Sequence, residues 1–268
     1  MTILPSMKKF LLSSAILSSG YAIAETTFNE VLLKAMKELH QGGGYSVKKP
    51  ASDLLKASIR VEKDKLVVDM TAKGPTYCSG ATYLAFLKAV DNVNLKLATG
   101  VASRLRTVDE NERWLGDGYG LWGRWNANGP GTAMVVKELD LGVNFLDDDF
   151  SEAKAGDFLK IFWTTAVGRK ERGHSVVFTR VIPEGAIGRR VKQVCYWSSQ
   201  GTVGIGEDCK ERDELKNMIF SRITKPWNIN KVKSLPAKND YLASLLKTES
   251  SFEEAVKMTG TLKKFKTK

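Results

Sequence analysis

Gly74-Pro75-Thr76-Tyr77-Cys78-Ser79-Gly80-Ala81-Thr82-Tyr83-Leu84-Ala85-Phe86-Leu87-Lys88-Ala89-Val90 is the stretch on which the reading of this chain turns. Gly74 and Pro75 cannot open a long regular element, whereas Ala81, Leu84, Ala85, Leu87 and Lys88 favour a helix. The composition therefore predicts a helix that starts at or beside Cys78. The first turn of a helix carries unpaired N–H groups and the positive end of the backbone dipole, and both stabilise a thiolate. A cysteine in that position is a candidate nucleophile. The competing reading is an inert, buried cysteine, since free cysteine packs as a small hydrophobe.

Cysteine usage across the chain sharpens the choice. The 268 residues hold three cysteines. Cys195 and Cys209 flank a Gly- and Ser-rich segment and are expected to close a hairpin-like loop by a disulfide, which leaves Cys78 as the free thiol. Disulfides belong to oxidising compartments, and the N-terminus agrees. Lys8-Lys9, the apolar run Phe10 to Leu17 and Ala22-Ile23-Ala24 have the three parts of a secretory signal peptide. The apolar run is shorter than the about 20 residues needed to cross a bilayer. Residues 1–24 are accordingly read as a cleaved leader, and the mature chain as exported, periplasmic or extracellular, with no transmembrane span.

A thiolate nucleophile needs a base, and the chain has two histidines. His40 follows an amphipathic stretch (Phe28, Val31, Leu32, Ala35, Met36, Leu39) and precedes Gly42-Gly43-Gly44, so it is expected to face solvent at a helix C-terminus. His174 opens His174-Ser175-Val176-Val177-Phe178, a strand rich in β-branched and aromatic residues. An upstream strand follows Gly156-Asp157, and the segment from Thr164 to Arg172 reads as a polar hairpin tip. His174 is thus placed at the rim of a sheet, where an imidazole can face a cleft.

Cys78-Ser79-Gly80, Gly156-Asp157 and Gly173-His174, in that order, resemble the NlpC-like branch of the papain-like cell-wall peptidases and amidases, with the CHAP amidases as relatives. The resemblance spans roughly residues 70–205. It implies an α+β fold with a papain-like (NlpC-like) core, in which N-terminal helices pack on an antiparallel β-sheet and a C-terminal helical extension follows. It also implies hydrolysis of amide bonds in peptidoglycan peptides. His174 would take the Cys78 proton, the thiolate would attack the carbonyl, and His174 would protonate the leaving amine. The Cys78 backbone N–H would serve an oxyanion hole, with Tyr77 as a further donor. Such enzymes orient the imidazole with a polar residue on the next strand. Val191 to Gln200 alternates with period two, which puts Ser198 and Gln200 forward equally, with Ser199 close behind. Two features depart from the family pattern: Tyr77 stands where an Asp is common, and Asp109 to Phe150 reads as an insertion.

Gly118 to Gly131 places Trp122 and Trp125 among glycines and asparagines; these two, with Tyr77 and Ser79, are candidate substrate-binding residues, the alternative being tryptophans that anchor a loop to the core. Asp147-Asp148-Asp149 lacks calcium-loop spacing and reads as a solvated acidic turn. No metal and no cofactor is expected.

Removing the leader takes away two lysines and no acid, so the net charge falls from +11 to +9. A basic exported chain is drawn to polyanionic wall or envelope surfaces. No nucleic-acid motif is present. The main domain is expected to cover residues 25–210, followed by an extension over 211–268 with a strand or short helix at Leu215–Thr224, helices near Tyr241–Leu246 and Phe252–Met258, and a basic tail from Lys263. Two rival functions follow from the same residues. One is a non-catalytic wall-binding protein on a hydrolase scaffold; the other is a Cys–His acyl transferase or deamidase acting on protein.

Overall fold

The computed structural model describes residues 26–69, 72–106, 117–127, 129–185, 190–201 and 203–263. The leader read at 1–24 and the tail beyond Lys263 lie outside the described residues, as does most of the first part of the expected insertion. Helices are α1 (Phe28–Glu38), α2 (Lys49–Ala57), α3 (Cys78–Asn92), α4 (Val101–Leu105), α5 (Gly120–Asn126), α6 (Gly131–Glu138), α7 (Asp240–Ser244) and α8 (Phe252–Met258). Strands are β1 (Gly42–Gly43), β2 (Ile59–Glu62), β3 (Lys65–Val68), β4 (Gly142–Phe145), β5 (Phe158–Phe162), β6 (Ala166–Gly168), β7 (His174–Pro183), β8 (Val191–Gln200), β9 (Gly204–Glu211), β10 (Asn217–Ile223) and β11 (Glu249–Ser251).

The architecture is α+β. Seven strands form one sheet in the order β1-β9-β8-β7-β5-β10-β4, with every neighbouring pair antiparallel. Two small ribbons, β2-β3 and β6-β11, lie outside it. β6 occupies the stretch read as a hairpin tip.

Helix α3 occupies the centre of the larger core. Tyr83, Leu84, Ala85, Phe86 and Leu87 are all buried, so no side of its middle turns is left to solvent, the mark of an interior helix. It packs on β7 and β8 and against α1 and α5. Helix α1 begins with a reciprocal cap: the Thr27 hydroxyl accepts from the Glu30 amide, and the Glu30 carboxylate accepts from the Thr27 amide.

A buried carboxylate joins the layers. Asp157 is fully buried and accepts hydrogen bonds from Asn29 Nδ2 at 2.8 Å, Arg222 Nε at 2.8 Å, Arg222 Nη2 at 2.6 Å and the Lys154 amide at 2.8 Å. It thereby ties α1, the entry to β5 and β10 into one unit. Gly156 beside it has φ +91°, and a Cβ there would stand 2.8 Å from the Asn29 backbone, so only glycine lets α1 approach.

Cys195 and Cys209 face each other across β8 and β9 and form the expected disulfide. No helix among the described residues is long and apolar enough to cross a membrane.

Three expectations are corrected. The segment after 210 does more than append helices: Leu215–Thr224 supplies β10, which lies inside the main sheet between β5 and β4. The two expected helices, α7 and α8, pack beyond it around Phe162, Val167 and Ile219. His40 does not face solvent. α1 ends at Glu38, the chain turns inward, and both imidazole nitrogens are buried without a hydrogen bond among the described residues. Burial, with the Lys73 charge adding to it, holds that imidazole below its ordinary pKa. Within the acidic turn, Asp147 is buried and accepts from the amides of Glu152 and Ala153, so it shapes the loop entering β5 and is not a solvated charge.

Asp157→Asn removes the carboxylate charge to which buried Arg222 donates through Nε and Nη2. Urea denaturation should show a loss of about 3–5 kcal/mol, the usual cost of breaking a buried pair from one side, whereas Lys49→Ala at an exposed pair should cost under about 1 kcal/mol.

Candidate active site

Three segments distant in sequence meet at Cys78. The first is the start of α3, whose first residue is Cys78 and whose N-cap, Tyr77, has extended backbone and no side-chain cap. The second is the chain leaving β1: the Thr76 amide donates to Gly44 O, and the Ser46 amide donates to Thr76 O. This brief parallel pairing holds Tyr45 beside the sulfur. The third is the rim of the sheet, where His174 opens β7 opposite Ile161 of β5, and Ser175 stands opposite Lys160. Gly173 makes that rim possible: at φ +67° its missing Cβ would lie 2.7 Å from Lys160 Cε and 2.9 Å from Ile161 O.

Cys78 is partly exposed and is the only free cysteine. Burial of its sulfur pushes the thiol pKa up. The hydrogen bond to the His174 side chain, the charges of His174 and Lys160, and a hydrogen bond from the Ser175 backbone outweigh that penalty, and the thiol comes down to about 6. At neutral pH it is therefore mostly thiolate, beside the imidazole, at the positive end of a helix.

Open space flanks the sulfur on two sides. On one side Cys78 shares a cleft with His174, Tyr196, Gln200, Trp163 and Val203. On the other it shares a smaller one with Tyr77, Ser79, Asn126, Lys160 and Arg172. Tyr45 borders both.

The candidates for orienting the imidazole now separate. Ser198 is fully buried and donates to the Ser175 carbonyl at 2.7 Å, so its hydroxyl clamps β8 to β7 just behind His174. Gln200 borders the His174 cleft, and its amide oxygen is buried without a hydrogen bond among the described residues. It shares a strand face with Tyr196, whose ring meets the His174 ring edge-on at 5.7 Å. Gln200 thus keeps an unspent acceptor at the imidazole's cleft, whereas Ser198 does not border that cleft and commits its proton to Ser175. Ser199 Oγ also lacks a hydrogen bond among the described residues but projects to the opposite face of β8, with Trp197.

Tyr77 and Ser79 both border the smaller cleft. The Tyr77 phenol is buried without a hydrogen bond among the described residues, and burial holds it protonated as a donor. Ser79 Oγ donates to Asn126 Oδ1. Trp122 and Trp125 are a correction: neither lines a groove. Both are about 1% exposed in α5, and their rings pack against Tyr83, with Trp125 also between Phe86 and Phe158. The exposed aromatics at the cleft are instead Tyr45, 42% exposed, and Trp163, 39% exposed. Reading the sequence missed both, and missed Lys160. The signal for Lys160 is a lone cation inside the otherwise apolar strand Phe158–Phe162. Burial and the adjacent Cys78 charge push the Tyr45 phenol up to about 12. No cluster among the described residues has the ligands to hold a metal ion.

Comparison with models of known families, with curated proteins and with solved structures gives no match in any of the three.

His174→Ala removes the hydrogen bond that holds the thiolate. Alkylation of Cys78 by iodoacetamide at pH 7 should slow by roughly 10- to 100-fold, because the thiol returns toward its ordinary range. Ser198→Ala, which leaves imidazole and sulfur in place, should alter that rate by less than about threefold; mass spectrometry of the alkylated protein measures both.

Proposed function

We propose that the protein is an exported cysteine amidase or peptidase with an NlpC-like, papain-like arrangement, acting on amide bonds of peptidoglycan peptides. The observation that carries this reading is Cys78 at the first turn of α3, lining one cleft with His174, whose side chain draws the thiol pKa down. The wall substrate follows from the resemblance in motif order, from the leader-like N-terminus and from the basic mature chain. The disulfide and the lack of a spanning helix among the described residues agree with export.

The steps follow from the groups present. The Cys78 thiolate attacks the amide carbonyl, and the developing oxyanion is met by the Cys78 backbone N–H at the unsatisfied helix start. His174, as imidazolium, gives its proton to the amine as the C–N bond breaks, which leaves an acyl-thioester. The neutral imidazole then takes a proton from water, whose oxygen attacks the thioester and releases acid and thiolate. Gln200 holds the ring through its free amide oxygen. The Tyr77 phenol offers a second donor to the oxyanion. Tyr45 and Trp163 supply the apolar walls on which a peptide or sugar face stacks.

The rival binding-protein reading draws on the basic surface and on Trp122 and Trp125, and the burial of both tryptophans removes the second of these supports. The acyl transferase or deamidase reading shares the same thiolate and differs in its substrate, a protein side-chain amide, and, for the transferase, in an amine taking the acyl group in place of water.

Mature protein incubated with purified peptidoglycan should release new peptide fragments, identified by mass spectrometry, that are absent with Cys78→Ala. His174→Ala should lower turnover by about a thousandfold, and Gln200→Ala by less. Intact wall after incubation with protein whose thiol still alkylates fast would overturn the wall substrate. Intact wall together with a slow thiol would overturn the enzyme.

A further inference from the structure

Lys160 lends its charge to the Cys78 thiolate, yet the steps above leave its hydrogen-bond donors unused. Its side chain lies on the α3 side of β5, and the residue is 7% exposed. Its ammonium has three donors, but its hydrogen bonding among the described residues is confined to Ser175 Oγ at 3.3 Å, a neutral and long contact. No carboxylate stands within ion-pair distance of it there; Glu171 acts on it only at longer range. A buried cation with one neutral partner is costly. The cost is meaningful if the remaining donors serve something that enters the cleft they border, together with Cys78 and Ser79. Arg172, exposed, stands at the mouth of the same cleft. Across the sulfur, the larger cleft is bordered by Glu207, Asp208 and Lys210, the last two ion-paired, so that side lacks the paired cations of the smaller cleft.

We propose that Lys160 at the floor and Arg172 at the rim form an anion-binding subsite beside Cys78, which takes a carboxylate of the substrate close to the amide under attack. This rests on the nucleophile reading and deepens it by naming a substrate class: peptides with a free carboxylate next to the cleaved bond. A carboxylate suits the site better than a phosphate dianion, because only one ammonium is buried and the guanidinium remains solvated. Burial pushes the Lys160 ammonium down in pKa, and the Cys78 thiolate and Glu171 oppose that shift. An entering carboxylate would add a counter-charge hydrogen-bonded to the ammonium, which neither the thiolate nor Glu171 supplies among the described residues.

Two alkylating reagents of similar shape test this without any peptide substrate. Iodoacetate carries a carboxylate and iodoacetamide does not. Both react with the same thiolate, so the ratio of their rates is independent of the thiol pKa and of the fraction ionised. His174 is present in every form compared. Relative to free cysteine, wild-type protein should favour iodoacetate. In Lys160→Met the ratio should fall by roughly tenfold, the order expected for one unit charge in a poorly solvated cleft. Arg172→Gln, at an exposed position that does not threaten folding, should lower it in the same direction by a smaller factor. If Lys160→Met fails to fold, the Arg172→Gln ratio decides. A ratio unchanged by these substitutions, with fast iodoacetamide reaction, overturns the subsite and leaves the nucleophile standing. Slow reaction with both reagents in wild-type protein overturns the nucleophile and the subsite together.

Discussion

Helix α3 is surrounded by protein along its middle turns, and its first residue carries a sulfur, so the helix's positive end and that sulfur are held against the open rim of β5 and β7. Desolvation alone would make the thiol a weaker acid. The reverse happens because the groups that meet it are a hydrogen-bonded imidazole, a backbone N–H and a buried ammonium, each of which favours the charged form. The rest of the molecule can be understood as the scaffold that brings those groups to one point.

That scaffold works through a few rigid contacts. Asp157 fixes the entry of β5 against α1 and β10, which sets where Lys160 emerges three residues later. Ser198 holds β8 to the carbonyl of Ser175, which sets the backbone beside His174. Gly173 lets the chain turn sharply into β7 without colliding with Lys160. The disulfide between β8 and β9 stiffens the hairpin that carries Gln200. Residues on strands reach a site more reproducibly than residues on loops, and here the base, the buried cation and the candidate orienting residue all sit on strands or at their ends.

The parts that were legible in the sequence were local ones. Gly-Pro before an alanine- and leucine-rich run marks the start of α3, and alternation marks β7 and β8. The spacing of Cys195 and Cys209 fits a hairpin bridge. What was not legible depended on long-range packing. Trp122 and Trp125 lie among glycines and asparagines and read as loop, but three residues apart on a short helix they share a face, and that face turns toward α3. His40 reads as a solvent-facing cap because nothing local shows the chain folding back over it. β10 looks like part of an appendage because its two partners in the sheet, β5 and β4, are set by topology and not by its own pattern. Tyr45 and Lys160 become site residues only when the segment near 45, the strand at 158–162 and the helix at 78 converge.

The central claim is that the free thiol of this protein exists as a thiolate at neutral pH. With Cys195 and Cys209 bonded to each other, the ultraviolet absorbance of a thiolate reports Cys78 alone. The difference spectrum between wild type and Cys78→Ser, followed against pH, should show the thiolate band disappearing as pH falls through about 6. A band that is absent at neutral pH and grows in only near the ordinary thiol value of 9.0 would contradict the account.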